Sequence, residues 1–375
     1  MTICSYFPTC TGCSHWNLPY QQQKNKKIEH LKDLLRTHNL ETKSQINFIS
    51  CGEHSLRHRV DFTLEFDLES QKHKFGFYDQ NKKICHIETC LQLTPELQKI
   101  YHEFIQFDFF YGNTPIKKAS VRLRTSPQNL KGCWLDFSNI EIKHLLEDQK
   151  LLNQLLNAGF VVEMGQKSKR LKQINGALKL TSPEPNVWFK TINHEEKELG
   201  LKCLISDFTQ PSWLSATVLV KVVSSWIKEI PRIKTVLEFG AGIGQFTLCF
   251  LSHDLNVEVC EINPSAIEQL KLNAQMHAFK GELTTRLGDF HKKTISPDKK
   301  YELIFVNPGR SGLKKFTDEI KKTESEYLIY VSCFPETLMT DLLELAENYN
   351  LCNITIVDQF PQTNHFETLT LLKKL

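Results

Sequence analysis

The chain changes texture near residues 200–215. Before that point apolar and charged residues mix in short segments. They read as strands over Val60–Phe66, Lys74–Tyr78 and Ser120–Thr125, with a helix over Gln23–His38. After Phe208 the pattern becomes regular. An amphipathic helix is predicted over Ser212–Lys228. Apolar runs then follow at Thr235–Phe239, Val257–Ile262, Leu303–Val306, Leu328–Ser332, Asn353–Val357 and Thr368–Leu372, with helical stretches 265–277, 315–324 and 336–349 among them. Strands alternating with helices predict a doubly wound, mostly parallel sheet covered on both faces. The last two runs are joined only by Asp358 to Glu367. So short a link suits an antiparallel pair, because a parallel crossover needs about a dozen residues or more.

At about 150 residues per domain, 375 residues make roughly two domains. The expected division is 1–205 and 206–375. A chain 41% apolar and 24% charged reads as an ordinary globular protein. No apolar run reaches membrane-spanning length, and the opening MTICSYFPTCTGC has no secretory core, so a cytoplasmic protein is expected. In that reducing compartment the 12 cysteines are thiols, metal ligands or nucleophiles rather than disulfides. Cys203, Cys249, Cys260 and Cys352 read as small buried hydrophobes. A net charge of +3 permits a nucleic-acid partner without demanding one.

The first regular apolar run ends in Glu238-Phe239-Gly240-Ala241-Gly242-Ile243-Gly244. A glycine-rich turn between strand and helix lets backbone approach a ligand closely. Taken alone it serves a dinucleotide, S-adenosylmethionine or only a tight turn. The second run ends in Glu261, followed by Asn263-Pro264. A carboxylate there can accept both ribose hydroxyls of an adenosine, though a strand-end Glu can also be merely solvated. Asp289 is a candidate for the adenine, or a loop or cap residue. The next run ends in Asn307-Pro308-Gly309-Arg310, a sequence that presents polar groups over the crevice at the strand ends, or else a plain Pro/Gly turn.

The run Tyr330-Val331-Ser332 ends in Cys333, with Phe334-Pro335-Glu336-Thr337 opening a helix. A thiol at this edge is a candidate nucleophile, its pKa expected to be lowered by the helix N-terminus. Downstream, in Phe360-Pro361-Gln362-Thr363-Asn364-His365-Phe366-Glu367, His365 and Glu367 fall on one side of an extended segment, and either could act as a base.

Together these residues resemble the RNA uracil-C5 methyltransferase family. The likeness rests on Phe208-Thr209-Gln210, Gly240–Gly244, Glu261-Ile262-Asn263-Pro264, Val306 to Arg310, Tyr330 to Cys333 with Thr337, and Phe360 to Thr363 with His365 and Glu367, in the family's order. It implies a Rossmann-like class I methyltransferase domain preceded by an α+β RNA-binding domain. It also implies S-adenosylmethionine held by Gln210, Gly240, Gly242, Glu261, Asp289 and Asn307, Cys333 as nucleophile at uracil C6, and Glu367 as the base at C5. Three departures stand out. Asn307-Pro308-Gly309-Arg310 replaces Asp-Pro-Pro-Arg, Gly240-Ala241-Gly242 replaces Phe-Cys-Gly, and Gln210-Pro211-Ser212 replaces Gln-x-Asn.

Cys4, Cys10 and Cys13 are closely set, and Cys90 or Cys85 lies farther on. Spacing alone fits zinc or an iron–sulfur cluster equally. The resemblance implies a [4Fe–4S] site made by Cys4, Cys10, Cys13 and Cys90, as in the short ribosomal-RNA members without an N-terminal TRAM domain. It therefore implies 23S rRNA as substrate, with transfer RNA as the alternative and an inactive cofactor- and RNA-binding module as a third reading. A monomer is expected. Basic clusters at Arg57-His58-Arg59, Arg122–Arg124 and Lys167–Lys172, with Trp134 and Phe137, are candidates for tracking phosphates. Chemistry at C5 and C6 requires an unstacked uridine.

Overall fold

The computed structural model describes residues 3–40, 45–137, 148–166, 169–174, 177–179, 181, 183–289 and 299–375. Two compact units emerge. One comprises Met1–Asn17, His54–Phe189 and Cys203–Ser212; the other comprises Leu18–Glu53, Lys190–Lys202 and Trp213–Leu375. The helix Tyr20–Thr37 therefore belongs with the C-terminal unit, although most of the first unit lies between them in sequence.

The second unit is an α/β sheet of eight strands: β1 (Asn47–Ser50), β2 (Thr235–Phe239), β3 (Asn256–Glu261), β4 (Leu283–Leu287), β5 (Leu303–Val306), β6 (Tyr327–Ser332), β7 (Tyr349–Asp358) and β8 (Glu367–Lys374). Their order is β1-β7-β8-β6-β5-β2-β3-β4. Only β8 runs against its neighbours, β6 and β7, as the short 358–367 link requires. Among the described residues its helices are α1 (Tyr20–Thr37), α2 (Trp213–Glu229), α3 (Thr247–Ser252), α4 (Pro264–Gln275), α5 (Phe316–Thr323) and α6 (Pro335–Leu345).

Alternation along the central strands feeds two cores. Val236, Val257, Leu303, Phe305 and Ile329 pack with Leu219, Val223 and Trp226 of α2 and Phe250 of α3. Leu237, Phe239, Ile304, Val306 and Tyr330 pack with Leu31 and Leu35 of α1, Phe316 and Ile320 of α5, and Leu338 and Leu342 of α6. Burial on both faces is why these strands read as unbroken apolar runs. The helix expected over 336–349 stops at Leu345, and Tyr349 already starts β7.

The first unit holds a second eight-stranded sheet, mostly antiparallel, with Lys131–Phe137 and Phe160–Gln166 as its parallel pair. Leu97, Ile100, Tyr101 and Phe104 from the helix Pro95–Phe104 fill its core. Among the described residues no helix is long and apolar enough to cross a membrane.

Candidate active site

Parallel register aligns the strand ends of the second unit. Phe239 of β2 stands opposite Cys260 of β3 and Val306 of β5. Gly240, Glu261 and Asn307 are thus the next residues along three adjacent strands, at one carboxyl edge where such sheets receive ligands. Gly240 has φ +74°, and a Cβ there would stand 2.8 Å from the Asn307 carbonyl oxygen, so the turn accepts no side chain. Its N–H donates to Cys260 O at 3.1 Å, and Asn307 N–H donates to Phe239 O at 3.2 Å.

Glu261 is buried. One carboxylate oxygen accepts Gly242 N–H at 3.0 Å and the other accepts Asn263 N–H at 2.9 Å. A carboxylate has about four acceptor positions, so the two amides fix its orientation and leave capacity for hydroxyls. Asn263 caps α4 through Ser265 N–H, with Pro264 as the first helical residue. Asp289 is half-buried, just beyond β4, where Gly288 N–H donates to Glu261 O at 3.0 Å.

Glu238 stands two residues before Gly240, in the strand that leads into the glycine turn. It is fully buried and accepts Thr247 Oγ1 at 2.6 Å. Burial, with the Glu261 charge adding to it, pushes its carboxyl up to about 8. The sequence signal was a lone acid inside an apolar strand.

Cys333 follows the last residue of β6 and is half-buried. Ser332 Oγ accepts Phe334 N–H at 3.1 Å, turning the chain into α6. In the β6–β8 ladder Ser332 pairs with Thr368 and Val331 with Leu369, so Cys333 and Glu367 fall at the next position. Opposed residues in such a ladder lie about 5 Å apart at Cα with side chains on one face.

Glu367 is buried, and Gln359 Nε2 donates to its Oε1 at 2.8 Å. Burial raises this carboxyl to about 7, and the Gln359 hydrogen bond opposes the rise. The Cys333 thiol is raised rather than lowered: burial and then the Glu367 charge outweigh the charge and hydrogen bond of Arg310. The helix N-terminus therefore does not decide the thiol's ionisation; desolvation does. His365 does not share the side of Glu367. Pro361 to Asn364 form a turn, leaving His365 exposed and Glu367 buried.

Gln210 lies in the first unit, in the segment Cys203–Ser212. That segment is held by arginines expected to track phosphates. Arg124, 1% exposed, donates to Leu204 O and Thr209 Oγ1 at 3.2 and 2.9 Å. Arg122 donates to Ser206 O and Asp207 O at 2.7 and 2.8 Å, and Arg59 donates to Thr209 O at 2.6 Å. Arg59 and Arg122 also pair with Asp61, so these three guanidiniums are engaged by carbonyls, the Thr209 hydroxyl and a carboxylate, a correction to their reading as an RNA-facing cluster. Lys167 and Ser168 of the third cluster lie outside the described residues.

Residues 19–375 match the model of the tRNA (Uracil-5-)-methyltransferase family. The chain belongs to this family. Among curated proteins, an uncharacterized RNA methyltransferase of Bdellovibrio bacteriovorus is 35% identical over 382 residues, covering 99% of this chain and 95% of the relative. The 23S rRNA (uracil(1939)-C(5))-methyltransferase of a Marinomonas species is 26% identical over 99% of this chain and 80% of its own length. The tRNA/tmRNA (uracil-C(5))-methyltransferase of Aliarcobacter butzleri is 26% identical over 99% of both chains. The crystal structure of a Pyrococcus abyssi tRNA (uracil-54, C5)-methyltransferase in complex with S-adenosyl-L-homocysteine shares the fold at TM-score 0.70 and 19% identity, covering 97% of this chain and 86% of that one. The protein is an S-adenosylmethionine-dependent RNA (uracil-C5)-methyltransferase.

In the methyltransferase's first unit, Cys4, Cys10, Cys13 and Cys90 line one cavity of about 120 Å³, together with Phe7, Trp16, Arg57 and Phe77. Burial pushes Cys10 up to about 11 and Cys13 up to about 12, with neighbouring thiols adding to both. The Arg57 charge opposes the rise at Cys13 and Cys90. Gln98 Oε1 accepts Cys90 N–H at 2.8 Å. Cys85 sits on the strand Ile84–His86, opposite Phe77. Among the described residues no group of three or more His, Cys, Asp or Glu side chains is set to hold a single metal ion.

Proposed function

We propose that this methyltransferase forms 5-methyluridine in 23S rRNA through a covalent adduct between Cys333 and uracil C6. The observation that carries the reading is the shared ladder position of Cys333 and Glu367 at the same sheet edge as the glycine turn, one strand, β5, standing between β6 and β2. The cofactor residues of the second unit are Gly240, Gly242, Glu261, Asp289 and Asn307. The Glu261 carboxylate, oriented by two amides and retaining acceptor capacity, suits a ribose, and the open space beside Gly242 leaves room for close approach. S-adenosylmethionine supplies an electrophilic methyl group at this edge.

C5 of uracil is a poor nucleophile. Addition of the Cys333 thiolate to C6 moves the C5–C6 π pair into an enolate, and C5 then takes the methyl group. The Glu367 carboxylate removes the C5 proton. That electron pair re-forms the C5–C6 double bond and expels the thiolate. Arg310, with its charge and hydrogen bond at the thiol, favours the thiolate. A base raised to about 7 accepts a proton and returns it to water with little penalty near neutral pH.

Cys4, Cys10, Cys13 and Cys90 would hold a [4Fe–4S] cluster. A four-iron cluster binds one thiolate per iron, so its ligands surround a cavity rather than converge on a point. Four cysteines lining one cavity fit that arrangement better than a zinc site, and Arg57 on the same lining complements its negative charge.

The test is incubation of the protein and S-adenosylmethionine with 5-fluorouridine-substituted 23S rRNA and tRNA transcripts. Fluorine at C5 prevents elimination, so a protein–RNA adduct should persist on a denaturing gel with 23S rRNA and vanish in Cys333→Ala. Trapping on tRNA alone assigns the other substrate. An equal signal from Cys333→Ala removes the thiolate mechanism.

A further inference from the structure

A polar stripe stands behind the residue read as the base. On α1, Tyr20, Gln23, Lys27 and His30 recur at three- and four-residue spacing, which places them on one face. An amphipathic helix ordinarily buries apolar residues along such a face. Here Gln23 and Lys27 are 0% and 3% exposed.

Each side chain meets the 358–366 segment. Lys27 Nζ donates to Asp358 Oδ1 at 2.7 Å and to Phe360 O at 3.0 Å. Tyr20 donates to Asp358 Oδ2 at 3.0 Å. Gln23 Nε2 donates to Gln362 Oε1 at 2.8 Å, and Gln23 Oε1 accepts Gln362 N–H at 2.9 Å. The His30 ring stands edge-on to Phe366, with centroids 6.3 Å apart. The same His30 contacts Glu336 of α6, three residues after Cys333, at 3.0 Å.

A buried ion pair contributes little net stability compared with apolar packing of the same volume, so stability alone does not account for the stripe. Geometry does. Asp358 ends β7 and points to α1, so Gln359 points the other way, where it donates to Glu367.

We propose that Lys27 is a positioning residue for proton removal from C5: by fixing Asp358 it holds Gln359 against Glu367. The proposal rests on the reading of Glu367 as the base, and its test separates the two.

Two rates are compared in the full-length protein with 23S rRNA and tRNA transcripts. Adduct formation on 5-fluorouridine RNA needs Cys333 but no base. Tritium release from [5-³H]uridine RNA needs both. In Lys27→Met, adduct formation should stay within about twofold of wild type while tritium release falls about tenfold or more, as expected for a displaced base. Lys27→Arg, which keeps the charge, should recover most of that loss.

Equal losses in both rates, or tritium release within about twofold of wild type, overturn the proposal. Should Lys27→Met fail to fold, Tyr20→Phe removes one hydrogen bond to Asp358 without leaving a buried charge. It should slow tritium release about threefold and leave adduct formation unchanged; unchanged release overturns the proposal equally. Absence of adduct in the wild type instead refutes the Cys333 reading, and normal turnover of Glu367→Gln refutes the base.

Discussion

Cys333 and Glu367 occupy one rung beyond the last pair of the β6–β8 ladder, Ser332 with Thr368. The antiparallel return of β8 is what brings them together across 33 intervening residues. It also sets a tension, since the Glu367 charge holds the Cys333 thiol up. The two groups therefore favour one negative charge between them, which suits a sequence in which the thiolate acts first and the carboxylate later. Glu367→Gln should allow adduct formation and methyl transfer but stall elimination. The expected outcome is RNA that stays covalently attached, with turnover down about a hundredfold or more. Quantitative denaturing gels on unmodified RNA check this; free 5-methyluridine product at the wild-type rate contradicts it.

Arg310 opposes the upward push on the Cys333 thiol through its charge and a hydrogen bond. Because the thiol lies above its ordinary value, the reactive thiolate fraction grows with rising pH. Single-turnover adduct formation should therefore increase through the alkaline range. Arg310→Met removes the opposing charge, so its pH profile should move to higher pH, with the largest deficit near neutrality and recovery as the pH rises. A deficit equal at every pH would assign Arg310 to RNA contact instead.

The central strands were legible as apolar runs, and the candidate residues lie at their ends: Glu261 closes β3, and Gly240, Asn307 and Cys333 directly follow β2, β5 and β6. The antiparallel final pair followed from a link too short for a crossover. Contacts made across long sequence separations were not legible. Four-residue β1 joins β7 at the sheet edge with no periodicity to announce it. Gln359 becomes a partner of Glu367 only once the register of β7 and β8 is fixed. Arg59, Arg122 and Arg124 look like phosphate ligands in sequence, yet tertiary structure assigns them to the carbonyls of Leu204 to Thr209. The lowered thiol expected at Cys333 failed because a helix terminus is a weaker influence than burial beside a carboxylate.

Glu238 gives a stability prediction with a definite sign. Its carboxyl is raised to about 8 in the folded protein against an ordinary 4.5. A group raised on folding contributes stability that is complete below its unfolded pKa and is lost as pH climbs through the folded one. Wild type should therefore lose stability between about pH 5 and pH 8 through this residue. Glu238→Gln keeps an acceptor for Thr247 and cannot ionise. Its Tm should match wild type near pH 5 and exceed it at pH 8.5, by thermal unfolding at fixed ionic strength. A lower Tm at pH 8.5 would mean that the carboxylate form is specifically stabilised.

Cys90 and Cys85 are both candidates for the fourth ligand of the proposed cluster, and the charges of both act on Cys10. Cys90 lines the cavity with Cys4, Cys10 and Cys13, its backbone fixed by Gln98, while Cys85 lies on the strand paired with Phe77. A ligand lost from a four-thiolate site abolishes or strongly weakens assembly, whereas a bystander thiol is dispensable. Protein purified anaerobically should carry about four irons and a broad absorbance near 400 nm, expected for thiolate-bound iron–sulfur clusters. Cys90→Ser and Cys4→Ser should lose both signals, and Cys85→Ser should keep them. Iron loss in Cys85→Ser with retention in Cys90→Ser would exchange the two roles. Stoichiometric zinc in place of iron would replace the cluster by a zinc site, which the four sulfurs could form only by closing inward from the cavity wall.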